Sequence, residues 1–132
     1  MLLSGQPLSL REIAAIADGS VRVQIAPAAM AQMEASREVV RRAVEDHTAV
    51  YGINTGFGKL CEMRIPDEEL AQLQLNLVRS HCCGVGALLS ETEVRAMMVL
   101  RANALAKGFS GVRTIVVETE SSVGLGGKNR RG

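Results

Sequence analysis

The sequence predicts a mainly α-helical fold with one short β element, on three observations. Hydrophobic residues make up 47% of the chain while aromatic residues make up only 2%. The core is therefore built from Ala, Val, Leu, Ile and Met, which suits helices packed closely together. Two tetrads, Ser9-Leu10-Arg11-Glu12 and Ser90-Glu91-Thr92-Glu93, have the capping-box spacing, in which the serine hydroxyl and the glutamate each satisfy a free amide at a helix start. Only Val21-Arg22-Val23-Gln24-Ile25 alternates apolar and polar residues in the manner of a half-buried strand.

Taken in order, the first capping box starts a short helix that Gly19 stops, and the alternating strand follows. Pro27 opens a second helix over about 28–47, with Met30, Met33, Val40 and Val44 near one face. Glu38 can pair with Arg41 and Arg42, and Arg41 with Glu45, as a solvated charged face. After Pro66-Asp67 helical spacing resumes: Leu70, Leu73 and Leu77 recur opposite Gln72, Gln74, Asn76 and Arg79, and His81 falls at the helix end. The second capping box starts a helix running to Lys107, with Gly108 as its stop. Between Val94 and Ala106 only Arg95, Arg101 and Asn103 are polar, so this helix requires partners on more than one side. Beyond Val112 comes a β-branched run, Thr114–Val117, and then a polar, glycine-rich stretch.

At 132 residues the chain is long enough for one core, and its net charge of +1 gives no electrostatic reason to expect nucleic acid or a membrane surface as partner. Three cysteines, Cys61 and the adjacent Cys82 and Cys83, supply neither a disulfide framework nor the CxxC spacing of a metal site. They fit a reducing cytoplasm. The start lacks the basic region and sustained apolar run of a signal peptide, and no run of 18 apolar residues occurs. No metal site is expected.

The most informative stretch is Tyr51-Gly52-Ile53-Asn54-Thr55-Gly56-Phe57-Gly58, which puts the one tyrosine of the chain in a loop with three glycines. Glycine and asparagine tolerate a positive φ, so this backbone can bend sharply or approach a ligand closely. A phenol there is a candidate acid or base; the plainer alternative is a surface turn with a packed tyrosine. Gly52–Lys59 misses the P-loop pattern twice, in its glycine spacing and in Leu60 standing where Ser or Thr would bind magnesium. Gly124–Gly127 leaves too few residues for the helix of a dinucleotide-binding turn. Cys82-Cys83 is explained more simply by small residues at a tight turn than by redox chemistry.

Three blocks, VYGINTGFGKL at 50–60, NLVRSHCCGVG at 76–86 and LSETEVRAMMVLRANALAKGFSGV at 89–112, together with PLSLREI and VRVQIAPAAMAQMEASREVVRRAV upstream, closely resemble the amino-terminal part of the histidine ammonia-lyases in the aromatic amino acid ammonia-lyase family. The resemblance implies the front of that helical, aspartase/fumarase-like fold, incomplete here: residues 1–113 as a lyase-like segment and 114–132 as a divergent, disordered tail. It also implies a homo-oligomer, a tetramer in the family, acting on a small amino acid. By the same resemblance Tyr51 matches the base that removes the β-proton, and Gly52, Asn54, Thr55, Gly56 and Gly58 form its loop. Phenols in water ionise near pH ~10, so such a base needs a site that favours the phenolate. Ser80-His81 matches the histidine-specific members, whereas relatives acting on phenylalanine or tyrosine carry Phe-Leu or His-Leu there. His81 is thus a candidate substrate contact, with capping of helix carbonyls as the structural alternative. His47 carries no such context.

The family's electrophile is a methylidene-imidazolone formed from an internal Ala-Ser-Gly triplet, and this sequence contains none. Ala35-Ser36 is followed by Arg37, and Ser110-Gly111 is preceded by Phe109. No cofactor is expected from these residues, and the isolated chain is expected to be inactive. Two alternatives remain open: a segment of a related phenylalanine or tyrosine ammonia-lyase or aminomutase, and a non-catalytic interaction module.

Overall fold

The computed structural model describes residues 1–46, 49–58, 63 and 65–123. The expectations for His47, Lys59, Leu60, Cys61 and the Gly124–Gly127 turn lie outside the described residues. The chain divides into two compact units, Met1–Glu38 with Leu88–Gly132, and Val39–Ala87.

In the first unit, β1 (Leu2–Leu3) and β2 (Gln24–Ile25) pair in parallel, with Leu2 beside Gln24 and Leu3 beside Ile25. The ladder is shorter than the expected strand over 21–25 because its partner offers only two residues. The predicted alternation of burial still holds, with Val23 and Ile25 buried around an exposed Gln24. Between the strands runs α1 (Leu10–Ala17), capped as expected: the Glu12 amide donates to Ser9 Oγ at 3.3 Å and the Ser9 amide to Glu12 Oε2 at 2.7 Å. Helix α2 (Pro27–Glu45) begins at the predicted proline, buries Ala29 and Met33, and carries the expected Arg41–Glu45 ion pair on its exposed face.

Helix α4 (Glu91–Leu105) starts at the second capping box and packs against α1 and against α5 (Thr114–Val123). Its buried side chains are Val99, Ala102, Asn103 and Leu105, while Met97 and Leu100 stay 61% and 50% exposed. It thus has partners on part of its circumference, and an apolar remainder faces outward. The core combines Leu3, Ile16, Val23, Ile25, Ala29, Met33, Val99, Leu105 and Val117.

The disordered tail expected from residue 114 is corrected over Thr114–Val123, which is helix α5. β-branched residues cost only a few tenths of a kcal/mol each in a helix, and complete burial of Val117 in the core outweighs that. Side chains from α2 fix the approach to α5. Ser36 Oγ accepts from the Gly111 amide at 3.0 Å, Arg37 donates to the Gly111 carbonyl at 3.3 Å, and the Thr114 hydroxyl donates to Glu34 Oε1 at 3.0 Å. Residues 124–132 lie outside the described residues.

The second unit holds the end of α2, the Tyr51 loop, a 3-10 turn at Asp67–Glu69 and α3 (Leu70–His81). On α3 the half-buried residues include Leu70, Leu73 and Leu77, and Gln72, Gln74, Asn76 and Arg79 are exposed, as the periodicity predicts. Among the described residues no helix is long and apolar enough to cross a membrane.

Candidate active-site loop

The segment from Val50 to Gly58 folds as a turn whose own side chains hold it. The Val50 carbonyl accepts from the Ile53 amide at 3.0 Å and from the Asn54 amide at 3.3 Å, while the Val50 amide donates to Asn54 Oδ1 at 2.8 Å. The returning limb is tied on by the Ile65 amide donating to the Asn54 carbonyl and the Gly56 amide to the Met63 carbonyl, both at 3.0 Å. Asn54 and Thr55 are buried, at 0% and 1% exposure. Gly52 and Gly58 have φ of 78° and 58°, and a Cβ at either would meet nothing within 4 Å. Glycine is needed at these two positions for backbone conformation and not for space.

This arrangement lifts Tyr51 outward. Its side chain is 64% exposed, and its ring meets that of Phe57 edge-on, centroids 6.0 Å apart at 70°. Such edge contacts contribute roughly 0.5–1.5 kcal/mol, enough to bias the ring's orientation and too little to fix it alone. Among the described residues the phenol has no hydrogen-bond partner.

His81 is the last residue of α3. Its Nδ1 lies 2.8 Å from the Leu77 carbonyl and 3.0 Å from Ser80 Oγ, whose hydroxyl donates to the same carbonyl at 2.8 Å. A carbonyl only accepts, so Nδ1 carries the proton, and in the neutral ring Nε2 is the acceptor, without a hydrogen-bond partner among the described residues. The helix-capping alternative therefore describes one ring nitrogen correctly, and Nε2 of this exposed side chain remains for a ligand. Ser80 has a structural part: it shares the carbonyl that orients the imidazole. Among the described residues no hydrogen bond or ring contact joins Tyr51 to His81, though both lie in the same unit.

Three features escaped sequence reasoning: the complete burial of Asn54 and Thr55, Phe57 as the ring partner of Tyr51, and the tie to residues 63 and 65. A signal existed for Phe57, since two of the three aromatic residues in the chain fall on this loop. Cys82 and Cys83 are free and exposed, and among the described residues no cluster of His, Cys, Asp and Glu could hold a metal. A shallow cavity lined by Ser4, Gln6, Gln32, Lys107 and Phe109 belongs to the first unit and contains neither Tyr51 nor His81.

A family profile described as aromatic amino acid lyase matches residues 8–122. The chain is 51% identical over 118 residues to a histidine ammonia-lyase of Anaeromyxobacter dehalogenans, covering 89% of this chain and 23% of that protein. It is 49% identical over 118 residues to one of Shouchella clausii, covering 89% and 24%. Among solved structures it is similar to histidine ammonia-lyase from Trypanosoma cruzi, with a TM-score of 0.84 at 37% identity over 93% of this chain and 23% of that one. It is also similar to a tyrosine aminomutase from Streptomyces globisporus, with a TM-score of 0.85 at 34% identity over 92% and 23%. The chain thus spans about a quarter of the length of these relatives.

Proposed function

This chain belongs to the aromatic amino acid lyase family, and on that premise we propose that it forms the front segment of a histidine ammonia-lyase, which eliminates ammonia from L-histidine to give urocanate. The observation that carries the proposal is the Tyr51 loop, where an outward-facing phenol stands on a turn anchored by buried Asn54 and Thr55. In this reading Tyr51 Oη takes the β-proton of the substrate. His81 meets the polar part of the substrate through Nε2, with its Nδ1–H held by the Leu77 carbonyl. Gly52 and Gly58 supply the left-handed backbone that turns the loop. Histidine is favoured over tyrosine as substrate by the Ser80-His81 pair and by the closer identity to histidine ammonia-lyases than to the aminomutase.

The methylidene-imidazolone implied by the family does not fit these residues: no Ala-Ser-Gly triplet occurs among them. The group is therefore not assigned to this chain, and the part played here is proton abstraction and substrate contact. We place the complete assembly in the cytoplasm as a homo-oligomer, a reading supported by the free, exposed Cys82 and Cys83 and by the outward apolar face of α4. Nothing in the charge balance calls for nucleic acid or a membrane as partner.

Two assays of urocanate formation test the proposal. The purified 132-residue chain is expected to show no turnover of histidine above a buffer control. Residues 1–122, joined to the remaining three-quarters of a histidine ammonia-lyase relative, are expected to produce urocanate. Turnover by the chain alone, or a soluble, assembled chimera that leaves histidine untouched, contradicts the reading.

A further inference from the structure

We propose that Asn54 is the positioning residue for the Tyr51 phenol, an inference that rests on the assignment of Tyr51 as the base. The exposed ring of Tyr51 is held by little of its own: its described contact is the edge of Phe57. Its place is therefore set by the backbone from which it projects, and the residue before it is fastened at both polar groups. The Val50 amide donates to Asn54 Oδ1 at 2.8 Å, and the Val50 carbonyl accepts from the Ile53 and Asn54 amides at 3.0 and 3.3 Å. The Asn54 carbonyl in turn accepts from the Ile65 amide at 3.0 Å.

One fully buried side chain thus closes the turn onto the residue preceding the base, and its backbone ties that turn to the next limb. Thr55, equally buried, does not do this: its hydroxyl donates to the carbonyl of its own neighbour Gly56 at 3.1 Å. Asn54 touches no reacting atom in this account. It acts through the location of Tyr51 Oη, where a displacement of about 1 Å can cost on the order of 10²-fold in rate.

The chain offers a direct probe, since Tyr51 is its one tyrosine and it has no tryptophan. Steady-state tyrosine fluorescence anisotropy of the 132-residue protein therefore reports this ring alone. Asn54→Ala is expected to lower the anisotropy while far-ultraviolet circular dichroism stays unchanged, and Thr55→Val is expected to lower it less. Should the alanine variant lose its helical signal, Asn54→Asp decides. It keeps an acceptor for the Val50 amide, because Asp and Asn both close such turns, and it is expected to hold the wild-type anisotropy.

In the active chimera Asn54→Ala is expected to reduce kcat by about 10- to 100-fold with KM little changed. The double variant Tyr51→Phe/Asn54→Ala is expected to be no slower than Tyr51→Phe alone. Wild-type anisotropy in a folded Asn54→Ala protein, an equal loss in Thr55→Val, a mobile ring in Asn54→Asp, or additive losses in the double variant each overturns the proposal. If Tyr51→Phe retains full activity, the assignment of the base has failed instead, and the anisotropy still decides whether Asn54 fixes the ring.

Discussion

The proposed chemistry rests on two single residues, and their types make them legible. A lone tyrosine among glycines and a Ser-His pair are uncommon enough to stand out in the sequence, and the structure gives both a definite setting. The setting itself was not legible, because burial of Asn54 and Thr55 depends on bonds to residues 63 and 65, and no local pattern encodes that return. Nor does the sequence say which imidazole nitrogen is engaged; only the Leu77 carbonyl at 2.8 Å assigns the proton to Nδ1. His81→Leu in the active chimera is expected to lower kcat/KM for histidine by about 10-fold or more, the order of effect of losing a charged or polar contact to substrate. An unchanged kcat/KM would remove His81 from the site.

At the level of elements, the two capping boxes were readable because both partners lie within four residues, and both form as the spacing requires. Each glutamate is held below the ordinary carboxylate range. For Glu12 the main cause is the Ser9 amide, and for Glu93 it is the Ser90 hydroxyl. A carboxyl lowered in the folded state stabilises it above the ordinary range and loses that contribution as pH falls through the lowered value. The melting temperature of a Glu12→Gln/Glu93→Gln variant is therefore expected to fall less between about pH 6 and pH 3 than that of the parent. A fall of equal size would show that the caps do not couple to protonation. Gly108 ends the α4 region with φ of 72°, and a Cβ there would stand 2.9 Å from the Gln32 backbone. Gly108→Ala is expected to destabilise the protein by about 1–3 kcal/mol in denaturant unfolding. Where element reading failed, distant contacts decided: β2 is only as long as β1 allows, and α5 forms because Val117 reaches the core.

For the molecule as a whole, the sequence revealed the helical class and the excess of apolar surface on α4, while which helices would cover it was set by packing. Met97, Leu100, Val85, Leu88 and Phe109 remain 50% or more exposed, and large outward apolar patches associate. The isolated chain is expected to elute as oligomers or to bind a hydrophobic dye; a monodisperse monomer with a sharp melt and no dye binding would show its surface to be self-sufficient. The central claim is that this segment brings the base to a histidine ammonia-lyase. Its most direct test is kcat for urocanate formation in the active chimera with and without Tyr51→Phe. A loss of about 10² to 10⁴-fold with little change in KM is expected for removal of a general base, whereas a folded Tyr51→Phe chimera working at nearly the full rate would contradict the account.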